Sequence, residues 1–250
     1  MTGTVTVEAP AKLTLELRVT GVRADGYHLI DAEMVTLEVA DLVTIEPGAE
    51  GLAFTGRFAE GIPVDATNLV ARALTLVGRR AGVTVDKRIP AGGGLGGGSA
   101  DAAAVLRWAG YQDVVGASRL GADIPFCMVG GRARVRGIGE IIEPLPPRAQ
   151  DVTLIVPPLS VSTPAVYRAW DDLGGPRATG PNDLEPAALV VEPQLVTWRR
   201  RIAEACGTTP VLAGSGATWF VAGAHGHLRD ALPDAHVVVT RTRMTTERTC

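Results

Sequence analysis

The sequence predicts an α+β protein in two parts, and three observations predict it. Its opening alternates apolar and polar residues; a glycine run separates an apolar strand pattern from an alanine-rich helical one; and near Asp151 the pattern resets into a unit that mixes helices with short strands. In the opening, Leu13, Leu15, Leu17 and Val19 share one face of a strand, with Lys12, Thr14, Glu16 and Arg18 on the other. Arg23-Ala-Asp-Gly26 carries turn chemistry, and Tyr27 to Val39 and Leu42 to Glu46 read as further strands. Helical spacing of Leu69, Ala73, Leu76 and Val77 predicts a helix from Asn68 to Ala81. A strand from Thr84 to Ile89 then enters the glycines, and a helix runs from Ser99 to Ala109.

The second part opens with a strand from Val152 to Val156, closed by Pro157-Pro158. Helices follow at Pro164 to Leu173 and Pro193 to Cys206, the latter stopped by Gly207. Strands around Val211 and from Thr218 to Val221, a short helix and a last strand from His236 to Thr242 complete it. Pro144-Leu-Pro-Pro147 sets the boundary, giving an N-terminal unit 1–149 and a C-terminal unit 150–250, with no internal repeat.

With 46% hydrophobic and 20% charged residues over 250 positions, the chain can bury an ordinary core. A formal charge of −3 supplies no basic field for nucleic acid or anionic lipid, so an anionic partner must be met by a local device. Cys127, Cys206 and Cys250 fit neither a disulfide framework nor a zinc ribbon. The stretch from Ala205 to Leu228 is broken by Gly, Pro, Thr and His, and Met1 to Glu8 lacks the pattern of a signal peptide. The expectation is a soluble cytoplasmic protein, monomeric or weakly dimeric, that meets neither membrane nor nucleic acid.

Six of the seven residues from Gly92 to Gly98 are glycine. Backbone without Cβ atoms lets N–H groups converge on an anion, and the following helix adds unpaired donors and the positive end of its dipole. Such a loop suits a polyphosphate, with Leu95 as its anchor and Ser99 placed either to cap the helix or to present its hydroxyl to a phosphate or Mg²⁺. A flexible linker is the plain alternative, but linkers seldom join an apolar strand to an Ala-rich helix. Gly98 is followed by Ser99 and Ala100, so Walker A is absent, whereas Gly92, Gly94 and Gly97 match G-x-G-x-x-G and keep a dinucleotide oxidoreductase in play.

Only Lys12 and Lys87 of the 24 basic residues are lysine. Lys12, between Ala11 and Leu13, is either a solvated strand-end charge or a cation aimed at a transferring phosphoryl group. Asp123 lies in Leu120-Gly-Ala-Asp-Ile-Pro-Phe126, where Pro125 is expected to hold Ile124 extended. It is a turn residue or, paired with Lys12, a group that orients or deprotonates a hydroxyl. No H-E-x-x-H or G-x-S-x-G occurs, and His225-Gly-His227 reads as a solvated loop.

Pro10-Ala-Lys-Leu-Thr-Leu15, Arg23-Ala-Asp-Gly-Tyr-His28, the glycine loop, Leu120 to Phe126, Asn182-Asp-Leu184 and Ala213-Gly-Ser-Gly-Ala217 together resemble the ordered motifs of the GHMP kinases. The resemblance spans nearly the whole chain. It implies a two-domain fold, with a β-rich ATP-binding N-terminal domain and a ferredoxin-like C-terminal one. It also implies Mg²⁺-ATP as phosphoryl donor, with Lys12 and Asp123 catalytic. Asn68, Pro90, Ala91, Gly92, Gly93, Gly94, Leu95, Gly96, Gly97, Gly98, Ser99 and Ala100 would hold the nucleotide, Ser99 also touching the metal. Asp25-Gly-Tyr-His28 and the glycine loop look most like the branch that phosphorylates a cytidine-diphosphate-linked methylerythritol. On that likeness Tyr27 stacks on cytosine, His28 bonds its edge and Tyr167 closes the other face, with Thr14, Gly214 and Ser215 also at the substrate. Kinases of homoserine, mevalonate or sugars are the nearest alternatives within the family, and a silent nucleotide-binding module is another.

Two departures from the family stand out. Thr14 replaces the usual Asn two residues after the lysine, and Tyr111 to Leu120 is shorter by about one helix, so a helix behind the site is expected to be absent.

Overall fold

The computed structural model describes residues 3–90 and 92–244. Ala91, expected at the nucleotide, and Cys250 lie outside the described residues. Two long antiparallel strands, β1 (Val5–Val22) and β2 (His28–Pro47), form the backbone of the first sheet. β2 is therefore one continuous strand where the sequence suggested two. Its free edge is shared: residues 30–35 pair with β5 (Arg132–Gly137) and residues 42–47 with β4 (Ala81–Asp86). β3 (Leu52–Thr55) runs parallel to β4 after a crossover through α1 (Leu69–Leu76), and β6 (Ile141–Pro144) closes the far side in the order β3-β4-β2-β5-β6.

Against this sheet pack α2 (Gly97–Trp108), α3 (Val114–Ser118) and α4 (Ile124–Val129). Ala100, Ala102, Ala103 and Ala104 are all buried, and their small side chains let the α2 backbone approach the strands closely. A five-residue helix, α3, occupies the segment where a helix was expected to be missing. The strand pair β5–β6, unforeseen in the sequence, continues the sheet beyond α4.

The second sheet contains β7 (Asp151–Val156), β8 (Val211–Leu212), β9 (Trp219–Ala222) and β10 (His236–Arg241), all antiparallel in the order β10-β7-β9-β8. Helices α5 (Thr163–Asp172), α6 (Glu185–Val191) and α7 (Gln194–Cys206) join β7 to β8, and α8 (Leu228–Ala231) joins β9 to β10. This is the strand order of a ferredoxin-like unit. Gly207, with φ +72°, ends α7 in the left-handed cap expected of it. Only α6 was not foreseen.

The halves share their interior. Leu17, Val19, Ile30 and Met34 of the first sheet pack with Trp170, Leu184, Trp198 and Trp219 of the second half, while Ala11, Leu13 and Leu37 meet Leu154, Ala213 and Phe220. A third cluster, between α1, α2 and the first sheet, belongs to the N-terminal half alone. β1 is thus covered on both faces near its middle, which is why the simple in-and-out alternation of its sequence gives no solvated side there. Among the described residues no helix is long and apolar enough to cross a membrane.

Shared cores predict cooperative unfolding. Leu13→Ala, which empties a fully buried position in the joint cluster, should cost about 2–5 kcal/mol. Circular dichroism and tryptophan fluorescence should report one coincident transition, displaced together in the variant. Separate transitions for the two sheets would contradict the shared interior.

Candidate active site

The glycine loop leaves the strand side at Pro90 and enters α2 at Gly97. Gly92, Gly94 and Gly96 all have φ near +70°, the left-handed region in which a side chain is strained. Space is as restrictive as conformation. A Cβ at Gly94 would lie 2.5 Å from the Ala213 carbonyl oxygen, and one at Gly96 would lie 2.7 Å from Cγ of Lys12. A Cβ at Gly93 would collide with the Thr218 hydroxyl. The loop is therefore pressed between the stem of Lys12 and the turn before β9. Buried Leu95 anchors it, the Leu95 carbonyl accepting from the Lys12 amide at 3.0 Å and the Gly93 carbonyl from the Thr218 amide at 3.3 Å.

On its outer side the loop walls a cavity of about 300 Å³ lined by Phe54, Ile62, Asn68, Lys87, Pro90 and Gly92 to Gly98, among others. Asn68 caps α1: its side chain accepts from the Val70 amide at 2.8 Å and donates to the Pro63 carbonyl at 2.8 Å. Ser99 does not cap α2. The N-cap is Gly96, in a left-handed conformation with no side-chain cap bond, and Ser99 sits within the first turn. Its hydroxyl lies close to the loop before Asp123, since a Cβ at Gly121 would stand 3.9 Å from it. Ala100, the next residue, is buried in the cluster between α1, α2 and the first sheet.

Lys12 is only 5% exposed. Its ammonium lies 3.3 Å from Asp123 Oδ2 and donates to Thr14 Oγ1 at 3.2 Å. The polar face of β1 therefore points into the site. Asp123 keeps 32% of its side chain open and stands at the start of α4. Ile124 is the first residue of that helix, not extended as Pro125 led us to expect, because proline is accommodated in a helix's first turn, where no donor is needed. The Gly214 turn completes the enclosure: a Cβ at Gly214 would be 3.8 Å from the Lys12 ammonium and 4.0 Å from the Thr14 hydroxyl. Ser215 Oγ and Thr163 Oγ1 share a hydrogen bond of 2.7 Å.

The aromatic residues divide. The His28 and Tyr167 rings meet at 4.6 Å between centroids, the His28 ring meets Trp170 edge-on at 5.6 Å, and His28 Nε2 is 2.8 Å from Asp171 Oδ1. Burial, then the charge of Asp123, hold the Tyr167 hydroxyl firmly protonated. Tyr27, the residue before His28, is 60% exposed, with the Arg23 guanidinium 5.7 Å from its ring centre.

Sequence reasoning assigned no role to a second lysine. Lys87, almost wholly buried, bonds Asp41 and also Asp101 at 2.6 Å. Asp41 in turn accepts from the Arg88 and Ile89 amides at 2.6 and 2.8 Å, replacing the ladder where β4 leaves β2. Two lysines among 24 basic residues was the available signal. Burial raises the Asp101 carboxyl to about 7 against the opposing pull of Lys87, and its Oδ1 has no partner among the described residues. Elsewhere, His225 and His227 bond backbone carbonyls at 2.9 and 3.2 Å.

Residues 66–131 match the GHMP kinases N-terminal domain model. The chain is 41% identical over 236 residues to a 4-diphosphocytidyl-2-C-methyl-D-erythritol kinase from Paracoccus denitrificans, covering 85% of this chain and 84% of that protein. The chain belongs to this kinase family. A crystal structure of 4-(cytidine 5'-diphospho)-2C-methyl-D-erythritol kinase aligns with a TM-score of 0.77 and 32% identity over 95% of this chain and 99% of that one. A homoserine kinase from Cytophaga hutchinsonii shares the fold at a TM-score of 0.64 and 18% identity, over 97% of this chain and 95% of that one. The oxidoreductase alternative fails on topology as well as on family. A dinucleotide fold needs a mostly parallel sheet, whereas among the strands of the described residues only β3 and β4 pair in parallel.

The Asp101 carboxyl holds its proton more tightly folded than at its ordinary value of 3.8. Its contribution to stability is therefore complete below about pH 4 and is lost as pH rises through about 7. Asp101→Asn, which cannot ionise, should escape this loss. Thermal melts from about pH 4 to about pH 8 should show the wild type losing ground to the variant as pH rises, and a constant offset would remove the titration from Asp101.

Proposed function

We propose that the protein transfers the γ-phosphoryl group of Mg²⁺-ATP to the 2-hydroxyl of 4-diphosphocytidyl-2-C-methyl-D-erythritol, the kinase step of non-mevalonate isoprenoid precursor synthesis. One observation carries the reading: the glycine loop rests on the stem of Lys12, and the ammonium at the end of that stem meets Asp123. A polyphosphate cradle and a cation–carboxylate pair are thereby joined through a single side chain.

In this reading residues 1–149 form the ATP-binding domain and 150–250 the substrate-binding domain. The amides of the loop and the first turn of α2 bind the phosphates, with Asn68 and Pro90 on the cavity wall. Asp123 accepts the proton of the acceptor hydroxyl while the hydroxyl oxygen forms the new bond to phosphorus and the bond from the γ-phosphorus to the β-phosphate oxygen breaks. Lys12 neutralises charge on the moving group and, through its bonds to Asp123 and Thr14, fixes both. Tyr27, His28 and Tyr167 receive the cytosine, and Gly214 and Ser215 border the acceptor chain.

Magnesium fits a limited donor set. Among the described residues no three His, Cys, Asp or Glu side chains gather into a cage, and this ion commonly takes one or two protein oxygens with phosphates and water. The Ser99 hydroxyl would be such a donor, and the bound ion would offset phosphate charge.

ADP release with Mg²⁺-ATP across a panel of alcohols tests the substrate. The cytidine diphosphate-linked methylerythritol should support turnover far above homoserine, mevalonate or simple sugars, and a better rate with any of these would replace the assignment. Lys12→Ala and Asp123→Asn should each lower kcat by at least about a hundredfold with nucleotide binding nearly intact. Near-normal turnover in either variant would remove that residue from catalysis.

A further inference from the structure

Asn182 and Asp183 are buried, at 2% and 0% exposure, in the segment between α5 and α6, and among the described residues neither hydrogen-bonds the Lys12–Asp123 pair. Their bonds point in two directions. On one side the segment adds to β1: the Leu17 amide donates to the Pro181 carbonyl at 2.9 Å, and the Asp183 amide to the Leu17 carbonyl at 2.9 Å. The Asp183 carboxylate accepts from the Arg18 guanidinium at 2.9 Å and from the Val19 amide at 3.1 Å. On the other side, Asn182 Nδ2 donates to the carbonyls of Leu212 at 2.9 Å and Gly214 at 2.6 Å. Its Oδ1 accepts from the Leu184 amide at 2.9 Å, which fixes the orientation of the side-chain amide.

The turn so held is the one beside Lys12 and Thr14. Within it the Ala213 and Gly216 amides bond inside the turn and the Thr218 amide bonds Gly93, while the amides of the buried residues Gly214, Ser215 and Ala217 donate to no protein acceptor among the described residues. Buried donors without partners carry a free-energy cost that a bound acceptor relieves. A trans peptide sets its N–H opposite its C=O, so holding the Gly214 carbonyl also fixes the direction of the Ser215 amide.

We propose that Asn182 is a positioning residue for phosphoryl transfer: tied to β1 through its own backbone segment, it sets the Gly214–Ser215 peptide at a fixed reach from Lys12 and Thr14, so that the free amides receive an oxygen of the acceptor substrate. This rests on the reading of Gly214 and Ser215 as substrate contacts. Asp183 serves as the internal comparison, since it holds the same segment to β1 but bonds nothing in the turn.

The test measures steady-state kinetics and melting for Asn182→Ala, Asp183→Asn and Gly214→Ala in the full chain. Asn182→Ala should raise KM for the cytidine diphosphate-linked alcohol at least about fivefold and lower kcat about tenfold, with KM for ATP changed less than about twofold. Asp183→Asn should lower the melting temperature without that rise in acceptor KM. Equal effects of the two variants, or unchanged kinetics in Asn182→Ala, would reduce Asn182 to a structural residue and overturn the proposal. If Gly214→Ala leaves acceptor KM unchanged, the turn does not touch substrate, and the underlying reading fails with the proposal. If Asn182→Ala does not fold, Asn182→Ser, which keeps a donor too short to span both carbonyls, is held to the same outcomes.

Discussion

The site depends on one steric constraint: at Gly93, Gly94 and Gly96 the loop before α2 has room for backbone and almost nothing else. At Gly94 the limit is the Ala213 carbonyl, and at Gly96 it is the methylene stem of Lys12. These neighbours come from opposite halves of the molecule, so the loop is shaped by the closure of the second sheet against the first. A methyl group at either position would displace either the turn or the lysine. The conformational cost of ordering so many glycines is offset by what the closure aligns. The amides of the loop, a buried cation and a half-open carboxylate come to lie in sequence along one side chain.

Charge is handled differently on the two sides of the loop. Lys12 shares its ammonium between a carboxylate that remains open to solvent and a hydroxyl, so it can be redirected when a charged ligand arrives. Lys87 is committed. Two carboxylates bracket it in the interior, one of them also receiving two backbone amides, and the arrangement ties the end of β4 to β2 and α2. Breaking such a pair by removing one partner leaves a charge without compensation, which is far more damaging than never having built it. The first lysine is thus available for chemistry and the second locks the ground on which the loop stands.

Much of this was legible in the chain because it is local. Alternation along Leu13 to Val19 marked the first strand, glycine after Cys206 marked a helix end, and the run from Gly92 to Gly98 between apolar strand and Ala-rich helix marked the loop that enters α2. Local rules also misled where two of them competed. Pro125 disfavours helix in the residue before it, yet it is also at home in a first turn, and here the second preference prevails. Ser99 has the chemistry of a cap, but a left-handed Gly96 takes the N-cap position because the loop approaches Lys12 there. β5 was overlooked although Arg132-Ala-Arg-Val-Arg alternates strictly; its arginines pair with Glu33, Asp31 and Glu16 rather than with solvent alone.

What no local pattern could reveal is the contact that crosses from one half to the other. Asn182 and Gly214 are far apart in the chain and joined only because β8, β9 and the segment after α5 converge on β1. Read alone, Asn182-Asp183 is an ordinary turn signal before a helix, and Gly214-Ser-Gly216 an ordinary hairpin turn. Together they form a linkage that holds the Gly214 carbonyl close to Lys12 and leaves the Gly214, Ser215 and Ala217 amides without a protein partner among the described residues. Buried polar networks of this kind hold a geometry only when every member is satisfied. The Gly214 and Ser215 amides stand outside the satisfied part of this network, and on our proposal an oxygen of the acceptor substrate is their partner.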